Sequence, residues 1–263
     1  MTRFTVGYTI FNKANLIPDI IDGLKKCFSK DDEFIFLFDS CVDRSLEVFK
    51  EQNLEGYNYQ VIIPEGEQFE IKSNNRILKE AVNDVIILFQ DDMLCLDPSI
   101  KDKVTQVLNY FGDSLGLLGG RDGFELRSIS FPEKPVDMLS SWTHGVGGDR
   151  TMLSVGEFGV RTILNRGPVV FTRRLLDTVG YLNEDYYPQW GDDMDYCMRC
   201  KYKYGLSNVV FQANIRSDLE WGGMRGGFSK LRRGKFIRNN WLKFVKDWGY
   251  TLLEEAKKSE VLA

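Results

Sequence analysis

The stretch DVIILFQDDMLCLDPS, residues 84–99, carries a buried strand, a pair of acids at its end and the start of a helix. Val85 to Phe89 is apolar at every position and β-branched at the first three, as expected of a central strand covered on both faces. Asp91 and Asp92 follow it. Asp97 then reads as an N-cap and Pro98 as the first helical position of a helix running to about Tyr110.

The same alternation extends in both directions. Upstream, an apolar run from Phe4 to Phe11 is followed by Leu16, Ile17, Ile20, Ile21, Leu24 and Phe28 at helical spacing. Phe34 to Phe38 is a second buried strand, Ser45 to Lys50 a helix, Tyr59 to Ile63 a third strand and Ser73 to Val82 another helix. Downstream, Leu115 to Leu118 is a strand, and the stretch from Gly119 to Gly167 is glycine-rich without a sustained period. Val169 to Phe171 is again a strand; Thr172 caps a helix ending at Gly180, Asp192 to Tyr204 forms a helix ending at Gly205, and Val209 to Phe211 is a last strand. Strands and helices alternating at this length predict an α/β fold, a mostly parallel central sheet with helices on both faces. In such sheets ligands bind at the carboxyl ends of strands.

Composition narrows the class. At 263 residues, 43% apolar and 27% charged, the chain is long enough for a full core, and a net charge of −4 argues against a nucleic-acid coat. No apolar run approaches the roughly 18 residues of a membrane span, and MTRFTVGYTIFNK lacks a cleavable signal pattern, so the expectation is a soluble, cytoplasmic protein. Five cysteines without paired spacing predict reduced thiols; Cys197 and Cys200 read as buried thiols on a helix.

Position relative to the sheet separates the acids. Asp39 follows its strand directly, a ligand position or a turn-forming Asp bonded to the backbone of Cys41. Asp91 and Asp92 stand at the equivalent place and suggest a divalent cation held through oxygen. Asp31 and Asp32 precede a strand and read as a solvated turn. Asp192, Asp193 and Asp195 open a helix, where its dipole favours acids by about 0.3–1 kcal/mol. Asp192 and Asp195 share one helical face and Asp193 points about 100° away, so the group can serve two purposes.

Several segments, taken in order, resemble glycosyltransferase family 2, the inverting nucleotide-sugar enzymes with a GT-A fold. TVGYTIFNKANLIPDIIDGL (5–24) is similar to that family's first strand, turn and helix. FLFDSCVDRSLEV (36–48) resembles its V-D-D-x-S-x-D segment, with Phe38 in place of the first acid. NNRILKEAVNDVIILFQDDMLCLDPS (74–99) resembles the helix leading into its D-x-D strand end, with Gln90 where the first acid is usual. GPVVFTRRLLDTVGYLNEDYYPQWGDDMDYCMRCKYKYG (167–205) matches the family's G-x-x-x-E and E-D-x-D-x-x-x-R pattern nearly throughout.

The resemblance covers about residues 1–215 and implies a GT-A domain there, with 216–263 a basic C-terminal loop and helix packing on it. It implies that Asp39 and the backbone around Tyr8, Thr9 and Phe11 hold the nucleotide base of the donor, a UDP-sugar being favoured. Asp92 would coordinate Mn²⁺ or Mg²⁺ at the diphosphate, with Asp91 on the ribose or supporting the metal. Asp193 would be the general base, tuned by Asp192 and Asp195, delivering a glycan or other acceptor hydroxyl in a hexosyl transfer. Lys72, Asn75 and Arg76 stand near the segment that often lines the nucleotide pocket. Gln90, and the lack of a His after the last strand in ANIRSDLEWGG, leave metal dependence open. The single histidine, His144, reads as a hydrogen-bonded loop residue.

From Trp221 to Lys246 there are eight basic residues and no acid. A loop hinged at Gly222, Gly223, Gly226 and Gly227 could fold over the diphosphate, with Arg225 or Arg233 neutralising its charge, while Phe236, Ile237, Trp241, Phe244, Val245 and Trp248 read as a docking stripe. The mixture of Trp, Phe and Lys also fits peripheral contact with a membrane surface. A dinucleotide oxidoreductase is excluded by FNKANL in place of G-x-G-x-x-G, and a P-loop kinase by the absence of its motif. A non-catalytic nucleotide-sugar-binding module of the same fold is the alternative.

Overall fold

The computed structural model describes residues 2–120, 123–124, 157–164, 167–188, 190–217 and 230–261. Its strands are β1 (Phe4–Ile10), β2 (Glu33–Phe38), β3 (Asn58–Ile62), β4 (Val85–Gln90), β5 (Leu94–Cys95), β6 (Leu115–Gly119), β7 (Gly123–Phe124), β8 (Phe158–Val160), β9 (Ile163–Leu164), β10 (Val169–Thr172), β11 (Ser207–Phe211) and β12 (Ile215–Arg216). Its helices are α1 (Ile17–Cys27), α2 (Ser45–Lys50), α3 (Phe69–Glu80), α4 (Ile100–Phe111), α5 (Arg173–Val179), α6 (Asp192–Met198) and α7 (Lys230–Val261). A short π-helix, Arg199–Lys203, continues α6.

An eight-stranded sheet in the order β3-β2-β1-β4-β10-β6-β11-β8 forms the centre. β3, β2, β1 and β4 are mutually parallel, and β6 is parallel to β11. β10 runs against both β4 and β6, and β8 against β11. The sheet is therefore mostly parallel, as the alternation predicts, with β10 reversed between two parallel groups.

Two apolar layers explain the unbroken hydrophobic strands. Phe4, Val6, Tyr8, Phe34, Phe36, Ile87 and Phe89 face one core shared with α1, α2 and α4. Ile35, Leu37, Ile86 and Leu88 face the other, shared with α3, α5, α6 and α7. With both faces covered, neither can be polar, so period-two alternation disappears. Of the expected docking stripe, Trp241, Phe244, Val245 and Trp248 are buried in the second core. Gly7 lies where α3 presses closest, since a Cβ there would stand 2.5 Å from Ile77 Cγ2 and 2.8 Å from Leu88 Cδ2.

Thr172 caps α5 as expected, its Oγ1 accepting the Leu175 N–H at 3.1 Å. Three local expectations shift. α4 begins at Ile100 rather than at Pro98; Asp97 instead accepts the Ser99 N–H and hydroxyl in a turn, and bonds Lys103 and the Asn214 N–H. α3 begins at Phe69, before the expected Ser73, because the Gln68 N–H at its start is taken by the remote Asp39 carboxylate at 2.7 Å rather than by a local cap. The solvated turn holds for exposed Asp31 but not for Asp32, which is fully buried and bonds the Phe4 N–H, Ser29 and Lys101. That carboxylate closes the start of β1, where the strand's first N–H would otherwise lack a partner.

All five cysteines are free thiols, Cys41 half-buried and the others buried. Among the described residues no helix is long and apolar enough to cross a membrane.

A Gly7→Ala substitution should lower stability by about 1–3 kcal/mol through overpacking, read as a reduced urea midpoint at unchanged slope.

Candidate functional site

The carboxyl ends of β1, β2 and β4 lie side by side, with Ile10 opposite Phe38 and Thr9 opposite Gln90. Hydrogen bonds sew these ends together. Asp91 Oδ2 accepts the Phe11 N–H at 2.9 Å, and its Oδ1 lies 3.8 Å from the buried Lys13 ammonium. Asn12 Oδ1 accepts the Val42 and Asp43 N–H groups, tying the turn after β1 to the turn after β2. Asp39 is fully buried at the end of β2, donating its own N–H to Ile10 O while its carboxylate receives Gln68. Asp92 is half-buried beside Asp91.

α3 covers this edge from one side. Thr9 Oγ1 donates to Asn74 Oδ1 at 3.1 Å, and Gln90 Nε2 donates to Glu70 Oε1 at 2.7 Å. A carboxylate thus stands beside the position where the resemblance expects an acid, but α3 supplies it. Glu70, Gln68 and Asn74 were not legible as site residues, because no cap signal marks the start of α3. Tyr8 contributes only backbone here: its ring stacks on Phe89 in the core and its hydroxyl donates to Met93 O.

Residues 182–187 pack on α3, and the chain then leads through Gly191 to a second group of acids at the start of α6. Asn75 receives the Leu182 N–H and donates to Leu182 O and Glu184, so its amide joins α3 to this segment. Lys72 Nζ lies 4.5 Å from the Tyr187 ring centre, and Phe69 meets the same ring edge-on. Arg76 pairs instead with Glu80 on the exposed side of α3. Gly191, at φ 91°, turns the chain into α6 with Tyr186 packed so close that a Cβ would lie 2.9 Å from the ring. Asp192 and Asp195 are 1% and 4% exposed, whereas Asp193 is half-buried, the division of faces that their spacing predicts.

α7 anchors this arrangement. Asp195 accepts the Trp248 indole N–H and the Arg199 Nε–H, both at 2.9 Å, and Arg199 also bonds Val179 O and Tyr181 O. Asn240 donates to Tyr186 O at 2.6 Å and to Trp190 O at 3.3 Å. Burial, with Asp195 and Asp247 nearby, pushes the Tyr186 hydroxyl far above its usual pKa, so it stays a neutral donor to Asp247. The four described non-glycine residues with positive φ are Asn12, Ser40, Phe69 and Trp190, at the ends of β1 and β2, the start of α3 and the approach to α6. Such backbone costs of order 1–3 kcal/mol and gathers at functional sites.

No family model and no curated protein matches the sequence. Solved structures do. The chain is similar to a mannosyltransferase of Pyrobaculum calidifontis in complex with GDP-Man and Mn²⁺ (TM-score 0.60, 16% identity, 97% of this chain and 69% of that one). It is also similar to GalNAc-T7 with UDP, GalNAc and Mn²⁺ (TM-score 0.67, 11% identity, 94% and 48%). TarS of S. aureus matches at TM-score 0.53 and 16% identity, over 81% of this chain and 37% of that one. The chain has the GT-A fold.

Within the GT-A fold, Asp39, Asp91 and Asp92 occupy the strand ends where ligands bind in open α/β sheets, and Asp193 lies in the first turn of α6. Among the described residues no group of three or more His, Cys, Asp or Glu could hold a metal. Asp91 and Asp92 adjoin at the end of β4, and a pair of carboxylates is the donor set that Mg²⁺-type sites often combine with substrate phosphates and water. Arg225, the glycines around it, His144 and most of 121–166 lie outside the described residues.

Trp248→Phe removes the indole N–H from Asp195 while keeping most of the packing. It should cost about 1–3 kcal/mol, seen as an earlier urea transition.

Proposed function

We propose that the chain transfers a hexosyl group from a nucleotide-diphosphate donor, a UDP-sugar, to an acceptor hydroxyl with inversion at the anomeric carbon. The observation that carries this is a half-buried Asp193 beside buried Asp192 and Asp195 at the start of α6, in a fold whose strands β2 and β4 end in Asp39, Asp91 and Asp92. The similar structures holding GDP-Man, or UDP with GalNAc, support a nucleotide-sugar donor.

Asp39 and the backbone of Tyr8, Thr9 and Phe11 receive the base. Asp91, already orienting the Phe11 N–H, backs the ribose. Lys72, held by Tyr187 at the front of α3, is a cation near the path of the diphosphate, and Arg225 is a second candidate. Asn75 has the indirect part of fixing the Leu182–Glu184 segment to α3. Asp92 would hold Mn²⁺ or Mg²⁺, which would offset the charge that develops on the leaving diphosphate.

Asp193 takes the proton of the acceptor hydroxyl as its oxygen bonds the anomeric carbon. The bond from that carbon to the diphosphate oxygen breaks on the opposite face, and the electron pair leaves with the nucleoside diphosphate. Asp192 and Asp195 hold the buried side of the same helical turn, Asp195 through its pair with Arg199, and Asp193 stands on the more exposed side. The acceptor is a glycan or other hydroxyl compound; the net charge of −4 gives no support to nucleic acid as a partner.

Asp193→Asn should lower transfer about 10²–10⁴-fold while leaving nucleotide affinity unchanged, measured as diphosphate release in steady state beside a binding titration. Full activity in this variant would remove Asp193 as the base. Binding of nucleotide sugars by the unaltered protein without any diphosphate release would instead assign it as a non-catalytic binding module.

Nucleoside diphosphates at one common concentration should be ranked by thermal shift, the cognate one adding about 2.7 kcal/mol where that concentration is 100 times its dissociation constant. UDP is expected to lead, and its shift to grow with Mn²⁺. A shift independent of Mn²⁺ would take the metal out of donor binding.

A further inference from the structure

At about 100° per residue, α7 divides into two faces. Trp241, Phe244, Val245, Trp248 and Leu252 point into the second core. Lys235, Arg238, Asn239, Leu242, Lys246 and Tyr250 fall within about 120° of one another on the opposite side. The three cations on this arc are exposed. So are Leu242, at 39%, and Tyr250, at 78%. Between 235 and 250 the one acid is Asp247, and it lies on the flank, bonded to Tyr186 and Lys243.

We infer that this face of α7 docks the protein on an anionic lipid surface. Charge is the first argument: a chain of net charge −4 concentrates cations without an intervening acid along one straight face. The row from Lys235 to Tyr250 extends about 22 Å at 1.5 Å per residue, a flat span suited to a plane of headgroups. The second argument is the exposed apolar surface interleaved with those charges. A leucine and a tyrosine between and beyond the cations gain from entering the interfacial layer, where tyrosine's amphipathic ring is favoured. The inward face of the same helix bonds Asp195 and the Trp190 carbonyl, so docking would set the proposed site close to the lipid surface. Docking itself does not depend on the transferase reading.

The full chain should co-sediment with vesicles of phosphatidylcholine mixed with phosphatidylglycerol and far less with phosphatidylcholine alone. Binding should fade as salt approaches about 1 M, where the Debye length falls to about 3 Å. Lys235→Gln/Arg238→Gln/Lys246→Gln should reduce partitioning on the order of 100-fold. Leu242→Ser/Tyr250→Ser should weaken it severalfold, and provides the test should the triple variant fail to fold by circular dichroism. Equal binding to both vesicles, or unchanged binding by the folded triple variant, would overturn the inference. It would equally be overturned if polyuridylate bound the protein more tightly than the anionic vesicles and lost that binding in the triple variant, or if sedimentation showed a dimer abolished by the Leu242 and Tyr250 changes.

Discussion

A buried carboxylate, Asp195, joins the parts of this molecule that matter for function. Burying a charge is costly unless its partners are fully formed. Asp195 meets that demand with the Arg199 guanidinium on its own helix and the Trp248 indole on the C-terminal helix. Arg199 then fixes the carbonyls of Val179 and Tyr181, at the end of α5 and beyond. One ion pair thereby locks the start of α6, the approach to it and the terminal helix into a single arrangement, with Asp193 carried on the outside.

The same economy holds at the sheet edge. Asp39 and Asp91, candidate ligand residues, also hold the fold together: one closes the start of α3 and the other the end of β1. A carboxylate placed where strands end can accept nearby N–H groups that the sheet leaves unpaired. Both positions therefore carry a structural role whatever they bind. The positive φ values of Asn12, Ser40 and Phe69 belong to the same edge, where the chain turns sharply from strand to loop or into a helix.

Much of the fold was legible because its signals are local. Unbroken apolar strands, amphipathic helices and the Thr172 cap read directly from the chain, as did the division between Asp193 and its neighbours Asp192 and Asp195. The start of α3, the burial of Asp32 and the partner of Gln90 were not legible, since each depends on a bond to a residue twenty or more positions away. Asn75 shows the same limit: its position along the chain suggests the nucleotide pocket, while its amide is spent on Leu182 and Glu184.

By itself, the sequence determined the alternation of elements, the parallel character of most of the sheet and the acids at its strand ends, because periodicity and turn chemistry act over a few residues. Only the tertiary structure decided that β10 runs against its neighbours, that Glu70 stands beside Gln90, and that the terminal helix holds the Asp195 segment with one face while presenting cations on the other. These are set by which surfaces meet, and a chain specifies such meetings through the sum of many weak contacts rather than through any segment of its own.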